Sequence, residues 1–229
     1  MTDRPIIFSA PMVRALIAGH KTQTRRLLKL AGRAPDFIGP AGCQNDPTCW
    51  GWESPEHGGF ITVEGDDKDH LPGWRNGWRD WKGAYAPGDR LYVREAHALV
   101  PPTAYRMSKG VEQTVNPNAD AHQAAIYRAG FDRSTGGFRW RASIHMPRWA
   151  SRLTLTVTEV RVQRLQDISE ADAMAEGCLP ARWDFQTPAD HYRDLWNALH
   201  GAEAWGANPW VVAVTFTVAH HNIDQAATV

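Results

Sequence analysis

The run Leu153-Thr154-Leu155-Thr156-Val157-Thr158-Glu159-Val160-Arg161-Val162 alternates apolar and polar residues, the pattern of a β-strand, but its apolar positions are odd up to Val157 and even from Val160. Strand side chains alternate between faces with a period of two, so this change of parity sends the apolar set to the opposite face. A bulge or sharp bend near Glu159 is required, of the kind found in a closed barrel.

The rest of the chain supplies short elements around that strand. Ile6-Ile7-Phe8 reads as a strand, and Ser9 with Pro11 opens a helix with Met12, Val13, Leu16 and Ile17 on one face, ended by Gly19. Residues 31–86 are rich in Gly, Pro, Trp and acids and read as a long insertion, with a strand at Phe60-Ile61-Thr62-Val63. Gly88-Asp89 precedes a strand in which Leu91 and Val93 share one face and Tyr92 and Arg94 the other, and a second loop spans about 100–122. Strands are expected at Ala125–Tyr127 and Phe138–Met146. Ser169 caps a short helix ending at Glu176-Gly177, and Thr187-Pro188 opens another with Tyr192, Leu195, Trp196 and Leu199 in helical spacing. Pro209-Trp210 leads into a last strand, Val211 to Val218. The sum is an α+β chain in one domain, 1–229, built as a small mostly-β barrel with flanking short helices.

With 43% apolar residues the 229-residue chain can bury a substantial core. Cys43, Cys49 and Cys178 follow no disulfide spacing and suit a reducing compartment, and no segment reaches the roughly 20 apolar residues of a membrane span, so a soluble cytoplasmic protein without a membrane partner is expected. The formal charge is zero, yet it is sorted: residues 1–33 hold seven Lys/Arg against Asp3 alone, and 128–164 hold eight Arg against Asp132 and Glu159. Residues 36–80 and 165–229 are acidic. Brought together, the basic stretches would form a surface for a phosphate or another anion, while pairing with acidic neighbours would cancel them.

Chemistry concentrates at Gly19-His20-Lys21-Thr22-Gln23-Thr24-Arg25-Arg26, directly after the first helix. A lysine works as a general base only when burial or neighbouring positive charge lowers its pKa, and Arg25 and Arg26 supply the second. Beside Thr22 or Thr24 it has the parts of an activated hydroxyl. The same residues also suit the negative end of a helix dipole. On a flat strand Lys21 and Thr24 would face opposite ways, so the segment must turn between them to use both.

The order strand, helix, Gly-x-Lys-Thr-x-Thr-Arg, then Gly-Asp-x-Leu-x-Val-Arg-Glu at 88–95, a long strand, a helix ending in Ala-Glu-Gly and a last strand resembles the ASCH domain, a PUA-like β-barrel. The stretch Trp140 to Arg152 is similar to the larger phage and prophage members, and the resemblance covers about 5–30, 86–98 and 138–218. It implies RNA or modified-base recognition or, as in small ASCH amidohydrolases, removal of the acyl group from N(4)-acetylcytidine without metal or other cofactor. On that implication Lys21 is the base, Thr24 the nucleophile and Glu176 the acid that protonates the leaving amine. Thr22, Arg25, Arg26, Arg94, Glu95, Ser143, His145 and Met146 are candidates for substrate contact. The alternative is a non-catalytic RNA or modified-base reader, or a ribonuclease. Trp50, Trp52, Trp74, Trp78 and Trp81 would pack the insertion or, with Arg75 and Arg79, stack on bases. Cys43, Cys49, His57 and His70 do not follow a zinc-finger spacing.

Overall fold

The computed structural model describes residues 2–30, 32–54, 59–63, 85–117, 123–131, 138–179 and 186–225. In chain order the regular elements are β1 (Asp3–Ile7), α1 (Ala10–Ile17), β2 (Gln23–Leu27), β3 (Asp36–Phe37), β4 (Trp50–Ser54), β5 (Gly59–Thr62) and β6 (Arg90–Arg94). They continue with β7 (His97–Val100), β8 (Gln113–Val115), β9 (Ala124–Tyr127), β10 (Thr154–Arg164), α2 (Glu170–Ala175), α3 (Pro188–His200) and β11 (Trp210–Ala219). The chain falls into two compact units, the first made of Met1–Thr22, Pro87–Thr158 and Phe216–Val229, the second of Gln23–Ala86 and Glu159–Thr215. The strand β10 passes from one unit to the other between Thr158 and Glu159, where the apolar parity of the sequence changes.

In the first unit β1 runs parallel to β6, from Asp3 opposite Arg90 to Ile7 opposite Arg94, and the start of β10 runs antiparallel on the other side of β6. Leu91 and Val93 are buried, as their alternation requires. A second sheet has the order β7-β9-β8, so the loop expected at 100–122 contains a strand. Phe138 to Met146 is not the strand the sequence suggested. It holds one bridge, His97 to Arg141, and a 3-10 turn at Ser143–His145. Its aromatic rings instead make edge-to-face contacts, Phe138 with Trp140 at 5.2 Å and with Phe131 at 5.6 Å, a geometry that satisfies the ring quadrupoles. The chain end is tied down by Asn222, whose side-chain amide donates to the carbonyls of Arg148, Trp149 and Ser151 at 2.8, 3.1 and 2.7 Å.

In the second unit β11 pairs antiparallel with β2, Val211 opposite Leu27 through Thr215 opposite Gln23, and β3-β4-β5 form a separate sheet. The helix α2 is capped by Ser169, whose hydroxyl accepts from the Asp172 amide, and α3 carries a capping box between Thr187 and Asp190. Tyr192 and Trp196 bury against Leu165, Ile168 and Val211. Leu199, expected on the same face, is 54 % exposed. Ser9, expected to cap α1 through its side chain, offers only its backbone carbonyl, to Val13, and Ile17 of that helix is exposed.

The α+β class holds, but among the described residues the sheets are open and none closes on itself, which corrects the expected barrel. Among the described residues no helix is long and apolar enough to cross a membrane. Because three carbonyls lose their common donor, Asn222→Ala is expected to cost about 2–3 kcal/mol, read as a lower urea midpoint at unchanged slope.

Candidate functional site

Each unit buries a guanidinium, Arg152 in the first and Arg25 in the second. Lys21 belongs to the first unit. Gly19 reverses the chain with φ of 73°, and the amides of His20 and Lys21 both return to the Ala15 carbonyl of α1. This tight return delivers the lysine inward. Its side chain has 0 % exposure, with Nζ 5.6 Å from the centre of the Phe8 ring.

Thr24, Arg25 and Glu176 belong to the second unit and are all buried. Arg25 reaches from β2 to α2, where Nη2 donates to Asp172 Oδ2 at 2.8 Å and Nη1 lies 3.3 Å from Glu176 Oε1. Nη1 also donates to Gln23 Oε1 at 2.5 Å, and Gln23 in turn donates to Asp172 at 3.2 Å and to the Thr215 hydroxyl at 3.1 Å. Arg161 adds a second guanidinium 3.0 Å from Asp172. The Tyr192 ring lies 5.8 Å from the Arg25 guanidinium carbon, and burial, then the charge of Glu176, push the phenol pKa upward. Arg25 Nε is buried and has no hydrogen-bond partner among the described residues.

The β2 ladder decides which expected residues meet. Gln23 and Arg25 share the face toward α2, as their contacts with Asp172 and Glu176 show. Thr24, one residue away on a regular antiparallel strand, points to the other face, which is also buried. Arg25 and Glu176 are therefore brought together, whereas Thr24 leaves β2 on the side away from that pair. Thr22 is exposed and Arg26 half-buried. The charges of Arg26 and Lys29 reinforce burial in holding the His200 pKa below its ordinary value.

In the first unit the expected neighbours Arg94 and Glu95 take separate partners. Arg94 Nε donates to the Met146 carbonyl at 2.8 Å. Glu95 accepts two bonds from Arg152, at 2.9 and 3.0 Å, and Arg152 also bonds Glu112 and stacks 4.1 Å from the centre of the Tyr127 ring. Burial raises the Glu95 pKa against the pull of Arg152. Arg152, Tyr127 and Glu112 line, with Arg14, Val111 and Phe131, a cavity of about 330 Å³. Of the other expected contact residues, Met146 is core, packed with Tyr127 and Ala150, Ser143 is half-buried and His145 exposed, and none of the three lines this cavity.

Part of the sorted charge is paired off within each unit. Arg148 bonds Asp3 and Asp224, Arg90 bonds Asp3, Arg152 bonds Glu95 and Arg161 bonds Asp172. Sequence reasoning missed Asp172, Arg152 and Tyr192 as members of these clusters. The signal for the first was present, since Asp172 and Glu176 lie four apart and so share a helix face. Trp74, Trp78, Trp81, Arg75, Arg79, His57 and His70 lie outside the described residues, and among the described residues no three His, Cys, Asp or Glu side chains group to hold a metal. A scan against protein-family models and searches of curated proteins and of solved structures found no match to this chain.

Removing the arginine takes from Glu176 the guanidinium 3.3 Å away and leaves Asp172 with Arg161 alone, so Arg25→Met is expected to destabilise the protein by about 3–5 kcal/mol, measured by urea denaturation. Burial would raise the Asp172 pKa, but the Arg161 bond and the Arg25 charge outweigh it and hold the group below its ordinary 3.8. The unfolded chain then takes up this proton first, so the stabilisation is full above that ordinary value and is lost as pH falls through the depressed one. Asp172→Asn should flatten the acid limb of a stability–pH curve measured between about pH 5 and pH 2.

Proposed function

We propose that this chain is an ASCH-type amidohydrolase of PUA-like ancestry that removes the acyl group from N(4)-acylated cytidine or a related nucleoside amide in the cytoplasm. The observation that supports the reading is burial: Lys21, Thr24 and Glu176 are 0, 3 and 5 % exposed. Lysine and glutamate are almost never withdrawn from water to this degree without a partner or a use, and functional sites are where such groups collect.

Glu176 protonates the leaving amine while Arg25 fixes its orientation. Lys21, in the first unit, is the base that the resemblance implies. The attacking group has two readings. The resemblance makes it the Thr24 hydroxyl, giving an acyl-enzyme. The alternation of β2, which turns Thr24 away from Arg25 and Glu176, favours a water molecule on the carboxylate's face. The pairing of Arg148, Arg152 and Arg161 with internal carboxylates lends the RNA-reader and ribonuclease alternatives less support.

Cytidine release from acetylcytidine is the direct assay. Glu176→Gln, which keeps an acceptor for Arg25, and Lys21→Ala should each lower kcat by about 10²–10⁴-fold, with folding checked by thermal melting. An inert Thr24→Ala with a trapped acyl group in the wild type supports the threonine route, and retained activity supports water. No turnover by the wild-type protein on several acylated cytidines overturns the reading, and salt-sensitive binding of an oligonucleotide in that case establishes the reader.

A further inference from the structure

The turn ahead of β4, in the second unit, holds two of the three cysteines of the chain side by side. Hydrogen bonds fix both ends of the turn. The amides of Ile38 and Gly39 donate to the Cys49 carbonyl at 2.9 and 3.2 Å, and the Cys43 amide donates to the Pro40 carbonyl at 3.4 Å. The middle is braced by Asp46, whose amide donates to the Cys43 carbonyl at 3.0 Å and whose carbonyl accepts from the Cys49 amide at 3.1 Å. The two sulfurs converge on Gly39. A Cβ there would stand 2.6 Å from Cys49 Sγ and 2.7 Å from Cys43 Sγ, so only glycine fits between the thiols and the backbone. Both cysteines are half-exposed, whereas Cys178 is buried in the core below α2 and α3.

We propose that Cys43 and Cys49 are a modification site, a thiol pair that closes reversibly to a disulfide on meeting a low-molecular-weight disulfide. The backbone holds the sulfurs together before any reaction, so closure orders little that is not ordered already. Cys43 Sγ donates to the Pro40 carbonyl at 3.0 Å, and the neighbouring Cys49 sulfur pushes the Cys43 thiol up to about 11, so Cys43 keeps its proton while Cys49 attacks. Cys49, its proton lost to solvent, attacks one sulfur of the small disulfide. A Cys49–sulfur bond forms, the small disulfide's S–S bond breaks, and the departing thiolate takes up a proton. Cys43, no longer beside a second ionisable thiol, then loses its proton and attacks Cys49 Sγ, expelling the second small thiolate, which takes up a proton. Two protein thiols are oxidised and one small disulfide is reduced to two thiols.

Closure would lock the carbonyl of Gln44, which accepts from Trp50 Nε1 at 2.8 Å and from Arg164 Nη2 at 2.7 Å, and so would stiffen the stack of Arg164 between Trp50 and Trp210, 4.3 and 4.4 Å from the two ring centres. The site is independent of the amidohydrolase reading.

The test incubates the folded protein with oxidised glutathione, stops exchange with acid, alkylates under denaturing conditions and maps the products by mass spectrometry. The expected result is one alkylated cysteine, Cys178, with a Cys43–Cys49 cross-link that dithiothreitol reverses. Cys43→Ser should instead stop at a lasting glutathione adduct on Cys49, and Gly39→Ala, whose methyl group wedges against both sulfurs, should lower the cross-linked fraction. Three alkylated cysteines after equilibration, or a lasting glutathione adduct on the wild-type pair, would overturn the proposal.

Discussion

A guanidinium withdrawn from water must find its negative charge inside the protein, and this requirement organises both units. Arg25 has no exposed side-chain surface and is balanced by Asp172 and Glu176. Arg152 is balanced by Glu95 and reaches Glu112. The desolvation cost of such an ion is several kcal/mol and is offset only when geometry and hydrogen bonding are nearly complete. Strand β2 and helix α2 are therefore held in one mutual register, since a slip of one residue in β2 would turn Arg25 away from both carboxylates.

That register explains the selection among nearby polar residues. Gln23 and Arg25 face α2 because they are two apart, and Thr24 faces away because it is one apart. A motif read as a string, Lys-Thr-x-Thr-Arg, places its residues together by proximity in the chain. A strand separates alternate members by the thickness of a sheet. The chemistry open to Glu176 accordingly depends on Arg25 more than on the threonine three residues after Lys21.

Pairing inside each unit also explains why a chain with strongly sorted charge makes so many ion pairs. Arg148 and Arg90 meet at Asp3, and Arg161 meets Asp172. Some of these pairs close over long sequence distance, as Arg148 with Asp3, and others over a short one, as Arg161 with Asp172. The same reasoning applies to the turn at 39–49, where two cysteines six positions apart meet because backbone hydrogen bonds close the loop between them.

Local rules, acting within a few residues, made much of this fold legible in the sequence. The caps at Ser169 and Thr187, the strand of Leu91 and Val93 and the glycine after α1 all follow from periodicity and turn chemistry, which short-range sterics enforce. The departures came where a long-range partner decided. Phe138 to Met146 alternates well enough for a strand, yet its rings found aromatic neighbours from 105 and 131 and no ladder formed. The face of Thr24, the partner of Glu95 and the meeting of Arg25 with Asp172 depend on which surfaces pack together, and a residue's own neighbourhood in the chain carries no record of the charge it will meet across 147 positions. Sequence alone thus determined the three helices, the strands of clear alternation and the candidate reactive side chains. Tertiary structure alone decided which of them share a face, because neutralising a buried charge is settled in space.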